Sequence, residues 1–164
     1  QSDGKIVATG YAFDGSIYQG VVLRYNSDGT MDQSFGSGGS VLFAYGTNED
    51  GDGIAIQADG KILVTGRTTS GSATNTFLLR LNTDGTLDNS FGSNGTTIVN
   101  VSSGYDGAYV IRLQNDGKII TAGWGQAGGS FIPSIMRFNT DGTLDQSFAS
   151  GGKFVKVFNA GWDE

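Results

Sequence analysis

The chain has 164 residues, a formal net charge of −6, 28 Gly, one Pro, and neither His nor Cys. An acidic chain with no cluster of Lys and Arg is a poor partner for nucleic acid or an anionic membrane, and no apolar run approaches the roughly 20 residues of a membrane span. Without Cys the chain has no disulfides and no thiolate chemistry, and without His it lacks the commonest general base and transition-metal ligand. High Gly without a collagen period predicts an all-β protein with many tight turns.

Three copies of one unit follow each other along the chain. The segment Gln1-Ser-Asp-Gly-Lys5 recurs at 57–61 and 114–118, which sets the copies 56 and 57 residues apart. We divide the chain into repeat 1 (1–56), repeat 2 (57–113) and repeat 3 (114–164), and place the extra residue of the second copy between Asp106 and Gln114. Agreement this dense predicts a repeat architecture.

Each copy offers four strands in the same order. Asp-Gly between two apolar runs favours a tight hairpin turn between the first and second strands. The predicted first strands are Ile54 to Gln57 and Val110 to Gln114; the second are Lys5 to Thr9, Lys61 to Thr65 and Lys118 to Ala122; the third are Val21 to Tyr25, Phe77 to Leu81 and Ser134 to Phe138; the fourth are Val41 to Tyr45, Thr97 to Val101 and Phe154 to Phe158.

The strand patterns predict four-stranded sheets stacked face to face. The second strand is apolar on both faces (62–64), as in a sheet covered on both sides, whereas the fourth alternates and carries Lys156, as at a sheet edge. Such sheets are typical of β-propeller blades. Repeat 1 lacks its own first strand and carries that of repeat 2, which gives eleven strands as three, four and four. Three blades do not close a ring of four to eight, so we expect a longer array, association of identical chains, or an open stack with neighbours at its ends.

The repeat resembles the bacterial delta-60 repeat. The segments that carry the resemblance are Asp-Gly-Lys-Ile-Leu-Val-Thr-Gly (59–66) and Phe-Leu-Leu-Arg-Leu-Asn-Thr-Asp-Gly-Thr-Leu-Asp-Asn-Ser-Phe-Gly (77–92), and all three copies match, with Met31 and Ala149 as small departures. The resemblance implies a propeller-like fold in large bacterial proteins that are secreted or exposed on the cell surface. It implies no activity and no catalytic residues.

Most acidic residues stand at repeated positions, which favours structural roles over catalysis. Twelve of the fourteen Asp form four sets, and short carboxylates that cap their own turns explain the first two. The sets are Asp3, Asp59 and Asp116; Asp28, Asp84 and Asp141; Asp32, Asp88 and Asp145; and Asp50, Asp106 and Asp163.

An Arg at the same place in each third strand needs a partner if it is buried. We predict that Arg24, Arg80 and Arg137 pair with the loop carboxylates Asp32, Asp88 and Asp145 respectively, locking the loop and driving the following Phe into the core. The segment 82–88 also matches the middle of an EF-hand-type calcium loop, but Arg80 and Phe91 occupy positions where that loop needs acids. A plain turn is therefore favoured over calcium, and no metal site or other cofactor is expected.

The stretch after the second strand keeps its length but not its sequence, which predicts a variable loop on a constant scaffold. Candidate ligand contacts there are three aromatic and three polar residues, with local packing of the aromatics as the alternative. They are Tyr11, Asp14, Tyr18, Arg67, Trp124 and Gln126.

Three functions remain open at this point. The favoured one is a non-catalytic structural or interaction module, such as an adhesin, filament or matrix component, whose partners are copies of itself or flanking repeats. The alternative is a carbohydrate-binding lectin that uses the variable aromatic stretches. An enzyme is the least favoured function. Catalysis requires a unique acid–base set, and most acids of this chain stand at repeated positions.

Overall fold

The computed structural model describes residues 1–127 and 129–157, and the fold is all-β. Three antiparallel sheets follow one another, with strand orders β1-β2-β3, β4-β5-β6-β7 and β8-β9-β10-β11, so the predicted count of three, four and four is confirmed. The described residues contain no helix, and hence none that could cross a membrane. The strands are β1 (Ile6–Phe13), β2 (Tyr18–Tyr25), β3 (Ser40–Phe43), β4 (Glu49–Ile56), β5 (Ile62–Ser70), β6 (Ala73–Leu81), β7 (Thr96–Val99), β8 (Gly107–Leu113), β9 (Ile119–Ala127), β10 (Ser130–Phe138) and β11 (Lys153–Val155).

The prediction of a variable loop after the second strand is wrong. The second and third strands of each repeat, which are β1 and β2, β5 and β6, and β9 and β10, continue through this stretch as a long hairpin. In the second sheet the pairing of β5 with β6 runs without a break from Ile62↔Leu81 to Ser70↔Ala73. Thr residues fill much of this stretch, and β-branched side chains favour the extended backbone. Variation between the copies therefore marks the exposed end of a hairpin and not a loop.

The fourth strands end earlier than predicted. The backbone N–H groups of Tyr45 and Val101 donate to carboxylates, at 3.0 Å to Glu49 Oε1 and 2.6 Å to Asp106 Oδ2, so the chain turns toward the next sheet at these residues. Both acids are fully buried. Phe158, the predicted end of the last strand, lies outside the described residues.

The extra residue of the second copy lies before Asp106 and not after it. Asn48 forms a β-bridge with Tyr18, and Tyr105 forms the same bridge with Thr74, the equivalent of Tyr18. Glu49, which follows Asn48, is therefore the structural equivalent of Asp106, which follows Tyr105. The predicted set of Asp50, Asp106 and Asp163 is therefore wrong for Asp50, and Asp163 lies outside the described residues. An ungapped self-alignment missed the shift because two acids stand side by side at 49 and 50.

The core lies in two layers between the three sheets. One layer, which includes Val22, Phe35 and Val64, fills the space between the first and second sheets, and the other, with Leu78, Phe91 and Met136, fills the space between the second and third. The second sheet is thus buried on both faces, as its continuous apolar strand predicted. The contact that joins one repeat to the next is mainly apolar.

Equivalent residues show that the two outer sheet faces are more exposed than the inner ones in the part of the chain that the structure describes. Ile62 and Ile119 are fully buried against the preceding repeat, whereas their equivalent Ile6 is 55% exposed. Leu78 is fully buried against the following repeat, whereas Ile135 is 36% exposed. We call the outer face of repeat 1 the leading face and the outer face of repeat 3 the trailing face.

Candidate functional site

One cluster of four side chains occurs in every repeat, and we call it the latch. It consists of a Lys from the Asp-Gly turn, the Arg of the third strand, the Asp of the long loop and the Phe three residues later. The members are Lys5, Arg24, Asp32 and Phe35 in repeat 1; Lys61, Arg80, Asp88 and Phe91 in repeat 2; and Lys118, Arg137, Asp145 and Phe148 in repeat 3.

The structure brings each predicted Arg–Asp pair together. Arg Nε lies 2.7 Å from Asp Oδ2 in all three repeats, and the guanidinium stacks over the Phe ring at 4.4, 4.4 and 4.7 Å from its centroid. The sequence reasoning missed the Lys, whose Nζ lies 2.8–2.9 Å from the same Asp oxygen. Its constant place in the Asp-Gly-Lys turn is the signal that could have found it.

The other carboxylate oxygen of each latch Asp holds the loop itself. In repeat 2, Asp88 Oδ1 accepts from the Ser90 N–H at 3.1 Å and from Ser90 Oγ at 2.6 Å. Burial raises the pKa of Asp88, but the hydrogen bonds of Lys61, Ser90 and Arg80 outweigh it and hold the pKa well below its usual range. The latch Asp is therefore ionised and bonded to its own loop. The stronger statement, that it locks the loop, stays a prediction.

The Asp-Gly turns are capped as expected. Asp84 Oδ1 accepts from the Thr86 N–H at 2.9 Å, and these hydrogen bonds, with that of the Thr86 hydroxyl first, lower its pKa. Equivalent bonds occur at Asp28 and Asp141, and the first set, at Asp3, Asp59 and Asp116, caps its turn in the same way. In the described part of the chain, no group of three or more acids is arranged to hold a metal ion.

The latches of repeats 1 and 2 each also receive a turn from the next repeat. We call this turn, at 26–30, 82–86 and 139–143, the docking turn. Arg80 Nη1 donates to the carbonyl of Thr140 at 2.9 Å, and the N–H of Gly92, beside the latch Phe, donates to the carbonyl of Asp141 at 2.7 Å. The turn of repeat 2 docks on repeat 1 in the same way, through Arg24 to the Thr83 carbonyl and Gly36 to the Asp84 carbonyl. The latch is thus an inter-repeat contact as well as a loop anchor.

The docking turn fits because a glycine stands where it meets the latch. A Cβ added to Gly142 would lie 2.7 Å from the Phe91 ring, and one added to Gly85 would lie 2.8 Å from the Gly36 nitrogen. The equivalent Gly29 of repeat 1 is exposed and has open space around it. At the other end, the Arg137 side chain is 23% exposed, against 7% for Arg24 and 11% for Arg80.

The predicted ligand residues divide between two places. Tyr11, Tyr18 and Arg67 line one cavity of about 380 Å³ between the first and second sheets, which we call the cleft. Trp124 stacks edge-on against Phe131 at 4.7 Å in the third sheet and borders a separate hollow. Four of the six predicted ligand contacts are therefore strand residues at two separate surfaces, and not residues of one kind of loop.

Asp14 and Gln126 have contacts of their own. Asp14 Oδ1 accepts from the backbone N–H groups of Ser16 and Ile17 at 2.8 and 2.9 Å, which lowers its pKa and caps the β1–β2 turn. The Gln126 N–H donates to Ser102 Oγ at 2.9 Å, beside the turn before Asp106. Neither residue lines the cleft or the hollow beside Trp124.

The family model of a beta-propeller domain of unknown function, DUF5122, matches residues 1–35, 57–91 and 114–148. The matched segments cover more than half of the chain and run from the Asp-Gly-Lys turn to the latch Phe of each repeat. The chain therefore belongs to this beta-propeller family. No curated protein matches it.

Proposed function

We propose that the chain is a non-catalytic interaction module that joins further repeats of its own kind through its leading and trailing faces. The observation that carries the proposal is the docking turn. The docking turns of repeats 2 and 3 each occupy the latch of the preceding repeat, whereas that of repeat 1, at Gly29, is exposed. At the other end of the described chain, the latch of repeat 3, with Arg137 and Phe148, is open. The two open surfaces are complementary, because the same two surfaces already pack together between repeats 1 and 2 and between repeats 2 and 3.

An open sheet edge supports the same proposal. In the second and third sheets the first strand pairs with the second, with one bulge in each pairing. In the first sheet β1, the equivalent of β5 and β9, is an edge strand. An edge strand presents unpaired N–H and C=O groups that another strand can use. A joining repeat that supplies a first strand would complete the first sheet.

The acids at the latch and turn positions favour binding over catalysis. The latch Asp residues each form ion pairs with a Lys and an Arg, and the turn Asp residues cap backbone N–H groups. A catalytic acid or base needs a carboxylate set apart from such structural work. We therefore propose that the module is not an enzyme and needs no cofactor.

The resemblance to the delta-60 repeat supports a finer proposal. We propose that the chain is of this repeat type and works in a bacterial protein that is secreted or exposed on the cell surface, as an adhesin, filament or matrix component. Fractionation of the source cells, followed by detection of the chain outside the cytoplasm, would test the location separately from the association.

Sedimentation velocity over a concentration series tests the association. A head-to-tail contact produces rings or filaments, so we expect species at multiples of 17.1 kDa whose share grows with concentration. A species that stays at 17.1 kDa up to millimolar concentration would contradict the proposal.

A further inference from the structure

The cleft presents aromatic rings to solvent from the first sheet and from the segment that precedes the third sheet. Tyr11 and Tyr18 come from the first sheet and are 59% and 43% exposed, with their rings packed edge to face at 5.4 Å. Tyr105, also exposed, lines the same cleft from the segment that leads into the third sheet. The Phe13 ring also packs against Tyr18, with the ring centroids 4.9 Å apart.

An ion pair forms the polar part of the cleft. Arg67 donates through Nε at 2.7 Å and through Nη2 to the same oxygen, Oδ2, of Asp50. Burial opposes the charge of Arg67, but the hydrogen bond and charge of Asp50 outweigh it and raise the pKa of the guanidinium. The pair is therefore fixed and electrically neutral as a unit.

The pair still offers a donor and an acceptor. Within the described part of the chain, Asp50 Oδ1 accepts no hydrogen bond and Arg67 Nη1 donates none, and both side chains reach solvent, at 20% and 40% exposure. Thr69 and Tyr105, whose side chains carry hydroxyl groups, line the same cavity. A carboxylate oxygen beside a guanidinium N–H presents an acceptor and a donor side by side.

We propose that the cleft binds a neutral oligosaccharide. A sugar ring has an apolar face that packs on an aromatic ring and a rim of hydroxyls that both donate and accept hydrogen bonds, which matches tyrosine rings beside an acceptor–donor pair. The cavity volume of about 380 Å³ lies within the range of small-molecule sites, about 300–1,000 Å³. Because Asp50 neutralises Arg67 and the chain carries a net charge of −6, an anionic glycan gains no electrostatic attraction here.

The equivalent position in the third sheet differs in the polar part. Trp124 and Phe131 stand where Arg67 and Thr74 stand in the second sheet, and Gly107 takes the place of Asp50 in the strand register. Aromatic surface is present there without the carboxylate–guanidinium pair. The third sheet therefore supplies a matched control for the cleft.

A glycan array of neutral hexose and N-acetylhexosamine oligosaccharides, with sialylated and sulfated ones beside them, tests the proposal on the whole chain. We expect the wild type to retain neutral glycans. Tyr18→Ala removes a ring, and Arg67→Lys keeps the charge opposite Asp50 but loses the second donor direction. Each substitution should therefore lower the affinity for the glycan at least tenfold. Phe131→Ala, at the equivalent of Tyr18 in the third sheet, should leave the affinity unchanged. Thermal unfolding of each variant verifies that it is folded.

Three outcomes would overturn the proposal. They are no retention of any neutral glycan, retention of acidic glycans alone, and retention of neutral glycans that Phe131→Ala abolishes while Tyr18→Ala and Arg67→Lys leave it intact. None of them bears on self-association, which is measured without a glycan.

Discussion

Replacing Asp88 by Ala should cost about 3 kcal/mol of the free energy of unfolding. The carboxylate is 6% exposed and accepts from Arg80 Nε at 2.7 Å and from Lys61 Nζ at 2.8 Å, besides its two bonds to Ser90. Removing one member of a buried ion pair costs about 3–5 kcal/mol, because the other charge stays buried without a partner. Arg80 keeps the Thr140 carbonyl and the Phe91 ring, so the lower end of that range applies.

Urea unfolding followed by circular dichroism measures this loss, and thermal unfolding should show a midpoint lower by roughly 6–12 °C, given about 2–4 °C per kcal/mol in a chain of this size. Asp28→Ala is the control, since Asp28 is an exposed acid at the equivalent of Asp84 that caps only its own turn, and its loss should be much smaller. A loss below about 1 kcal/mol for Asp88→Ala, or equal losses for the two variants, would refute the idea that the latch anchors the loop.

Further predictions concern the third latch, one strained residue and pH. Asp145→Ala should cost less than Asp88→Ala in the same unfolding assay, because Arg137 is more exposed and no docking turn within residues 1–127 and 129–157 covers it. Ala149→Gly should stabilise by about 1 kcal/mol, because Ala149 adopts a φ of 46° where the other copies have Gly, whereas Gly92→Ala should destabilise, since its Cβ would lie 2.6 Å from the Thr96 carbonyl oxygen. Burial raises the pKa of Asp52 to about 6, so the folded state holds its proton more tightly and this group removes stability as pH rises from about 4 to 6. Asp52→Asn should therefore be more stable than the wild type at pH 7 and lose that advantage at pH 4. A gain that is constant across this range would contradict the raised pKa of Asp52 as its cause. The latch Asp residues act in the opposite direction: hydrogen bonds from Ser34 and Lys5, and their equivalents, keep the pKa of these carboxyls low, so their stabilisation is present above about pH 4 and is lost as pH falls further.

The sequence predicts the sheets well because their signals repeat three times. The Asp-Gly turns, the apolar second strand and the Arg–Asp spacing each recur at the same offset, so a chance match in one copy is checked by the other two. The strand ends are less predictable. The hairpin of β5 and β6 extends to Ser70 and Ala73 through residues that differ in every copy, and variation looks the same in an exposed strand and in a loop.

Contacts between repeats account for what the sequence did not show. The spacing of Arg80 and Asp88 predicts a pair within one repeat, but the third partner, Lys61, comes from the preceding turn, and the carbonyl of Thr140 from the next repeat. Nothing in a linear spacing of about 60 residues indicates which backbone carbonyl an Arg reaches. The cleft is hidden for the same reason, since Tyr18 and Arg67 meet only when two sheets pack.

If the open docking turn of one copy enters the open latch of another, a side chain added at Gly29 should block the association. Asn tolerates the positive φ of this turn, and the monomer has open space there, whereas the equivalent positions in repeats 2 and 3 touch the latch. Gly71→Asn is the control, since Gly71 also has positive φ and open space but lies in the β5–β6 hairpin. In sedimentation velocity we predict that Gly29→Asn stays at 17.1 kDa at concentrations where the wild type and Gly71→Asn form larger species. Equal association of all three proteins would contradict docking through this turn.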